Sequence, residues 1–279
     1  YVTYNEDTNQ FSLNAEQAFT LANEDSPAYL PGAFELALAS LASVPRITEC
    51  FRTGAGMGWG EHNEGVYHGC EKFFRPGYAA NLVAAWIPAL EGVKEKLEKG
   101  ANVADIGCGM GASTRLMAKA FPKSEFVGFD SHDKSIEGAR DAASREGLAD
   151  HVTFQVSKAK DIPEKGYDFV TVFDCLHDMG DPVGAAKHIR EAIAEDGTWM
   201  IVEPFAKDEM KDNLNPLGRA YYGFSTLLCT PCSRSQEVGL CLGAQAGEAR
   251  IREIVTAAGF SRFRRATETP FNIVYEARP

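Results

Sequence analysis

The stretch Val103-Ala-Asp-Ile-Gly-Cys-Gly-Met-Gly-Ala-Ser-Thr114 decides how the rest of the chain is read. An apolar run of Val103, Ala104 and Ile106, interrupted by Asp105, leads directly into three alternating glycines, Gly107, Gly109 and Gly111. The pattern predicts a buried strand, a tight turn and the start of a helix. Glycine suits the turn because a side chain would block it and hold a ligand away from the backbone. The amides of the helix's first turn lack intrahelical partners and face whatever sits on the turn. Phe126-Val-Gly-Phe-Asp130 then reads as a second strand, ending in an acid 19 positions after Gly111. A carboxylate placed there can accept both hydroxyls of a ribose.

The alternation continues outward from this unit. Strands are expected at 103–106, 125–130, 152–156, 168–173 and 198–203, with helices at 112–120, 135–146 and 182–194. A helix at 248–258 and two closing strands, 261–266 and 272–277, complete the series. Strands alternating with helices predict an α/β domain with a largely parallel sheet covered on both faces. Ligands of such sheets bind beyond the carboxyl ends of the strands. Those ends carry Asp105, Asp130, Ser157, Phe173, Asp174 and Glu203.

The composition sets outer bounds. The chain has 279 residues, a net charge of −11 and 44% hydrophobic residues. An acidic chain lacks the clustered Lys and Arg of a nucleic-acid surface. No apolar run reaches membrane-spanning length, and no secretory signal opens the chain. The seven cysteines are scattered through core-like segments, which predicts reduced thiols and a cytoplasmic location.

Before the α/β region, Tyr1–Leu13 reads as a hairpin around an Asn/Asp-rich turn. Residues 14–50 read as helices. In the apolar one expected from Gly32 to Val44, Phe34, Leu38 and Leu41 share a face, which suggests burial against a partner or a second copy. The segment 51–78 is rich in glycine, aromatic residues and histidine, as a pocket lid would be. A helix broken at Pro88 is expected over 81–99. The segment 207–247 interrupts the alternation after the fifth strand and reads as a second cover. Residues 1–80 are thus assigned to an N-terminal dimerisation and lid region, and 81–279 to the catalytic domain. Expected pocket residues are Trp59, His62, Tyr67, Asp178, Tyr221 and Tyr222. His62 and His68 have no third ligand nearby, nor do His177 and Asp178, and Cys229 and Cys232 form one isolated C-x-x-C, so no metal is expected.

Strand, glycine turn, helix, strand and Asp130 together resemble the class I S-adenosylmethionine (SAM) methyltransferases. The resemblance implies a Rossmann-like fold with a mainly parallel seven-stranded sheet, SAM as cofactor and a small-molecule methyl acceptor. It implies cofactor contacts from Asp105, Gly107, Cys108, Gly109, Thr114, Asp130, Ser131, Lys158, Ala159, Phe173 and Asp174. Where relatives carry Gly-Asp-Ala for the adenine amino group, this chain has Ser157-Lys158-Ala159, and Lys158 cannot accept that bond. Leu176-His-Asp-Met-Gly-Asp181 is similar to the Leu-His-Asp-Trp-Ser-Asp signature of plant-type O-methyltransferases, with Met179 in place of Trp. By that resemblance His177 is the expected general base. Across its length the chain also resembles mycobacterial methyltransferases with a winged-helix N-terminal domain, some labelled transcriptional regulators. That implies a truncated winged helix here and a homodimer. It keeps open the alternative of a non-catalytic SAM-binding or DNA-binding regulator.

Overall fold

The computed structural model describes residues 1–24 and 26–279. Thr3–Asn5 (β1) and Gln10–Ser12 (β2) pair as an exposed antiparallel hairpin. Ala15–Leu21 (α1) follows, started by a capping box in which the Asn14 side chain accepts from the Gln17 amide and Gln17 answers to the Asn14 amide. Pro31–Leu41 (α2), Val44–Thr53 (α3) and Gly65–Asn81 (α4) complete the N-terminal helices.

Two of these depart from the reading above. The helix expected from Gly32 to Val44 is two helices, parted near Ser43 and Pro45. The glycine-rich lid segment is irregular only to about Asn63 and then becomes the 17-residue α4. Tertiary contact explains the second case. α2 and α4 cross with backbones almost touching, and a Cβ on Gly69 would lie 2.6 Å from the Leu36 amide nitrogen. The glycines that suggest a loop are therefore the means of a close helix crossing. Leu36 and Ala39 face α4, while Phe34, Leu38 and Leu41 remain exposed.

The helix expected over 81–99 is broken into a π-helical turn at Leu82–Trp86, a 3-10 turn at Ile87–Ala89 and Val93–Lys99 (α5). The widened turn precedes Pro88, which lacks an amide hydrogen and crowds the carbonyl four residues before it.

The remaining elements alternate as expected: Asn102–Ile106 (β3), Ala112–Ala120 (α6), Glu125–Asp130 (β4), Asp133–Arg145 (α7), Val152–Val156 (β5), Tyr167–Phe173 (β6), Pro182–Ala192 (α8) and Ile193–Pro204 (β7). The cover segment holds Pro216–Phe224 (α9), a second π-helical turn at Ser225–Cys229, and Thr230–Ser235 (α10). Gly247–Ala257 (α11), Arg262–Glu268 (β8) and Asn272–Arg278 (β9) finish the chain's elements.

The seven-stranded sheet has the order β5-β4-β3-β6-β7-β9-β8. It is parallel except where β9 pairs antiparallel with β7 and β8. Alternation along β6 divides the core. Phe169 and Phe173 join Trp86, Leu97, Met117 and Ile136 on one face, under α5, α6 and α7. Val170 and Val172 join Ile189, Trp199 and Ile254 on the other, under α8 and α11. Each fully buried side chain of this size contributes roughly 1.5–3 kcal/mol. Strand order reverses beside β3, so the carboxyl ends of β3, β4 and β6 open onto one crevice. Among the described residues no helix is long and apolar enough to cross a membrane.

Candidate active site

The turn after β3 is tied to the end of β4. The amides of Gly107 and Cys108 donate to the Phe129 carbonyl at 2.7 and 3.0 Å. The Gly109 amide donates to Asp130 Oδ2 at 2.9 Å, and the His132 amide to Oδ1 at 2.8 Å. Asp130 is thus clamped by one backbone amide on each oxygen, and each oxygen keeps a further acceptor site. Burial pushes its acidity up, while the His132 and Gly109 amides pull it back down. Gly107 and Gly109 have φ of +70° and +52°, a conformation that favours glycine. The two differ in surroundings. A Cβ at Gly107 would meet Cys175 Sγ at 2.4 Å, whereas a Cβ at Gly109 would meet no protein atom within 4 Å.

Gly109 borders a cavity of about 550 Å³, within the size range of small-molecule sites, roughly 300–1,000 Å³. One wall is made by Gly107, Cys108, Asp130, Ser131, Lys158 and Ala159. Phe173 and Asp174 form the floor, at the end of β6. Trp59, Tyr67 and Phe74 come from the N-terminal helices, and Cys232 and Gln236 from the cover segment. Both expected covers therefore reach the cavity.

Several expected site residues lie off this wall. Asp105 is buried behind the turn and accepts from Ser113 Oγ at 2.7 Å, Thr114 Oγ1 at 2.6 Å and Thr171 Oγ1 at 2.9 Å. Asp105 and Thr114 are thus corrected from ligand contacts to braces joining β3, α6 and β6. His62 is buried against Ser43 and the Trp59 ring, and only its carbonyl, accepting from Tyr67 Oη at 2.9 Å, is linked to a lining residue's side chain. Tyr221 donates to the Phe271 carbonyl at 2.7 Å, and half-buried Tyr222 is not on the wall either. The cover reaches the cavity instead through Cys232, Ser235, Gln236 and Glu237.

His177 is the largest departure. It is buried beneath the cavity and does not line it. Its Nδ1 stands 2.5 Å from Glu203 Oε2, and its Nε2 stands 3.2 Å from Asp178 Oδ1. Burial alone lowers its basicity, but Glu203 and Asp178 raise it well above the ordinary histidine value. The metal-free ring is thus an imidazolium between two carboxylates, with no lone pair to take a proton from an acceptor. Asp178 does line the cavity, as expected.

Asp174 was expected as a cofactor contact, and its acidity is the feature the sequence did not reveal. It sits at φ +49° after β6 and accepts from Tyr78 Oη at 2.7 Å and from Asn272 Nδ2 at 2.8 Å. Burial pushes its carboxyl up to about 7 against these two donors. Lys160 was also missed. It bridges Asp181 at 3.0 Å and Glu237 at 3.1 Å, joining the segment after β5 to the cover. Glu203 was marked only as a strand end, and no spacing in the sequence pairs it with His177.

The geometry accommodates SAM. The cavity offers an open glycine turn for close backbone approach, a clamped acid for a ribose, and a wall of Asp130, Asp174 and Asp178 suited to a sulfonium cation. Comparison with known proteins points the same way. Residues 97–259 match the family described as methyltransferase domain. The tocopherol O-methyltransferase of Arabidopsis thaliana is 31% identical over 159 residues, covering 52% of this chain and 44% of that enzyme. An O-methyltransferase family protein from Burkholderia thailandensis superposes with a TM-score of 0.72 at 17% identity, over 99% of this chain and 79% of that one. Human N-acetylserotonin methyltransferase, solved with SAM, gives a TM-score of 0.66 at 14% identity, over 96% and 75%. The chain spans half or less of the length of the curated relatives it matches.

Proposed function

Since this chain belongs to the methyltransferase-domain family, whose members use SAM, we propose that it transfers the methyl group of SAM to a small-molecule acceptor. The observation that carries the proposal is the pairing of Gly109, open to the cavity, with the clamped carboxylate of Asp130. SAM, when bound, supplies an electrophilic methyl on a sulfonium sulfur that leaves as a neutral thioether. Gly107 to Gly109 and Asp130 would hold its methionine and ribose parts. Ser131, Lys158 and Ala159 would border the adenine, Lys158 through its backbone or stem because its ammonium only donates.

The acceptor's share of the cavity is closed by Trp59, Tyr67, Phe74 and Met179, which suits a mostly apolar molecule with one nucleophilic group. Holding that group in line with the methyl and away from water supplies most of the rate. For an acceptor that must lose a proton, Asp174 is the wall group with acidity near neutrality, suited to accept it. His177 then acts as a positioning residue that fixes Asp178.

The exposed apolar side chains Phe34, Leu38 and Leu41 on α2, with Phe51 on α3, support a homodimer through the N-terminal region. Seven free thiols suit a reducing compartment such as the cytoplasm.

Calorimetric titration with SAM tests the donor assignment. Wild type should bind. Asp130→Ala should bind roughly 10- to 100-fold more weakly, the worth of hydrogen bonds to a charged group, and Gly109→Val should not bind measurably. Equal binding by all three would overturn the assignment.

A further inference from the structure

The geometry points to a site for a divalent transition-metal ion of zinc's class beneath the acceptor end of the cavity, formed by His177 Nε2, Asp178 Oδ1 and Cys229 Sγ. These three atoms lie within 4.8 Å of one another. Ligands held 2.0–2.3 Å from a tetrahedral zinc stand roughly 3.3–3.8 Å apart, and Nε2 and Oδ1 are 3.2 Å apart before any ion draws on them.

Three further observations fit. Asp178 Oδ1 is a buried oxygen with no hydrogen-bond partner, which a cation would satisfy. The opposite ring nitrogen of His177 is held by Glu203, the carboxylate–histidine arrangement that orients a metal-binding imidazole and raises its affinity. Glu203 is fixed in turn, because its Oε1 accepts from the Leu176 amide at 3.1 Å. The donor set of imidazole nitrogen, carboxylate oxygen and thiolate sulfur suits zinc better than magnesium or calcium, which take oxygen ligands.

Three protein ligands leave a fourth position, and Asp178 is the ligand that borders the cavity. An acceptor oxygen or sulfur would occupy that position. This last assignment rests on the methyl-transfer reading; the ion site itself does not. The sequence conceals the site because Cys229 arrives from the cover segment, far along the chain from His177.

The test is cobalt titration of the full chain after chelator treatment, with a non-thiol reductant present. Wild type should bind one equivalent of Co²⁺, with a thiolate charge-transfer band in the near ultraviolet that Zn²⁺ removes. Cys229→Ser should abolish the band and weaken Zn²⁺ binding at least tenfold. Glu203→Gln should keep the band while weakening Zn²⁺ binding about 10- to 100-fold. Cys241→Ser, outside the cluster, should match wild type. Absence of the band in wild type, or an undiminished band in Cys229→Ser, overturns the site. If Cys229→Ser does not fold, Glu203→Gln decides: unchanged Zn²⁺ affinity overturns the site. SAM calorimetry on the same preparations separates the two readings. SAM binding without the cobalt band removes the ion site alone, and the band without SAM binding removes the donor assignment alone.

Discussion

Gly107 and Gly109 stand two positions apart and should fail differently when given a side chain. Both pay the cost of a left-handed backbone, about 1 kcal/mol. Gly107→Ala also drives its methyl into Cys175 Sγ, so it should lower the unfolding free energy by about 2 kcal/mol or more in denaturant titrations. Gly109→Ala should lose little stability beyond the backbone cost and should lose SAM affinity instead. Asp105→Ala makes a third contrast. It strands three buried hydroxyls and should cost about 3–5 kcal/mol in the same titrations, with weaker SAM binding only as a consequence.

Asp174 makes a prediction in pH. Its carboxyl is raised from 3.8 to about 7. Between those values the folded chain keeps a proton that the unfolded chain has shed. The stability contributed by the neutral acid is therefore full below 3.8 and is lost as pH rises through about 7. Asp174→Asn is neutral throughout and should lack this loss. Relative to wild type it should be more stable at pH 8 than at pH 5 in urea unfolding. An equal difference at both pH values would show that Asp174 is not raised.

At the scale of elements, the crossing of α2 and α4 makes the N-terminal helices one unit. Gly69→Ala should push them apart and cost about 1–3 kcal/mol, read as a lower unfolding midpoint. The Lys160 bridge ties the cover to the parallel sheet at the cavity mouth. Lys160→Met should quicken tryptic cleavage after Arg234, with SAM protecting less than in wild type.

The same elements explain what the sequence could reveal. The β/α alternation from Asn102 onward was legible because each strand is an apolar run buried on both faces and each helix carries one apolar side. The glycine turn and Asp130 were legible because they are local to that unit. α4 was not legible, since its Gly65, Gly69 and Pro76 oppose helix formation locally and packing against α2 overrides them. The surroundings of His177 were also hidden. Glu203 ends β7 and Cys229 ends a turn in the cover, and no residue spacing records that these two ends meet.

For the whole molecule, acidity and the exposed N-terminal face lead to separate expectations. With a net charge of −11, the chain should show no salt-dependent binding to duplex DNA even at low ionic strength. Binding that weakens steeply with salt would favour the regulator alternative. Sedimentation should find a dimer, and Leu38→Glu should weaken the association at least tenfold without lowering SAM affinity. Equal sedimentation of the two would place the dimer contact elsewhere or remove it.

The two π-helical turns have a consequence for how the chain tolerates changes in length. Each contains one residue more than an α-helical turn needs, and each ends on a side chain set at the site: Trp86 packing beside Phe173, and Cys229 beside His177. Removing one residue from such a turn lets the helix close to an ordinary α-helix and rotates everything after it by about 100° relative to everything before. Deletion of Thr226 should therefore leave a continuous helix yet swing the thiol of Cys229 out of reach of His177. Among relatives, a single-residue gap at this turn should mark chains in which the cysteine has no work to do.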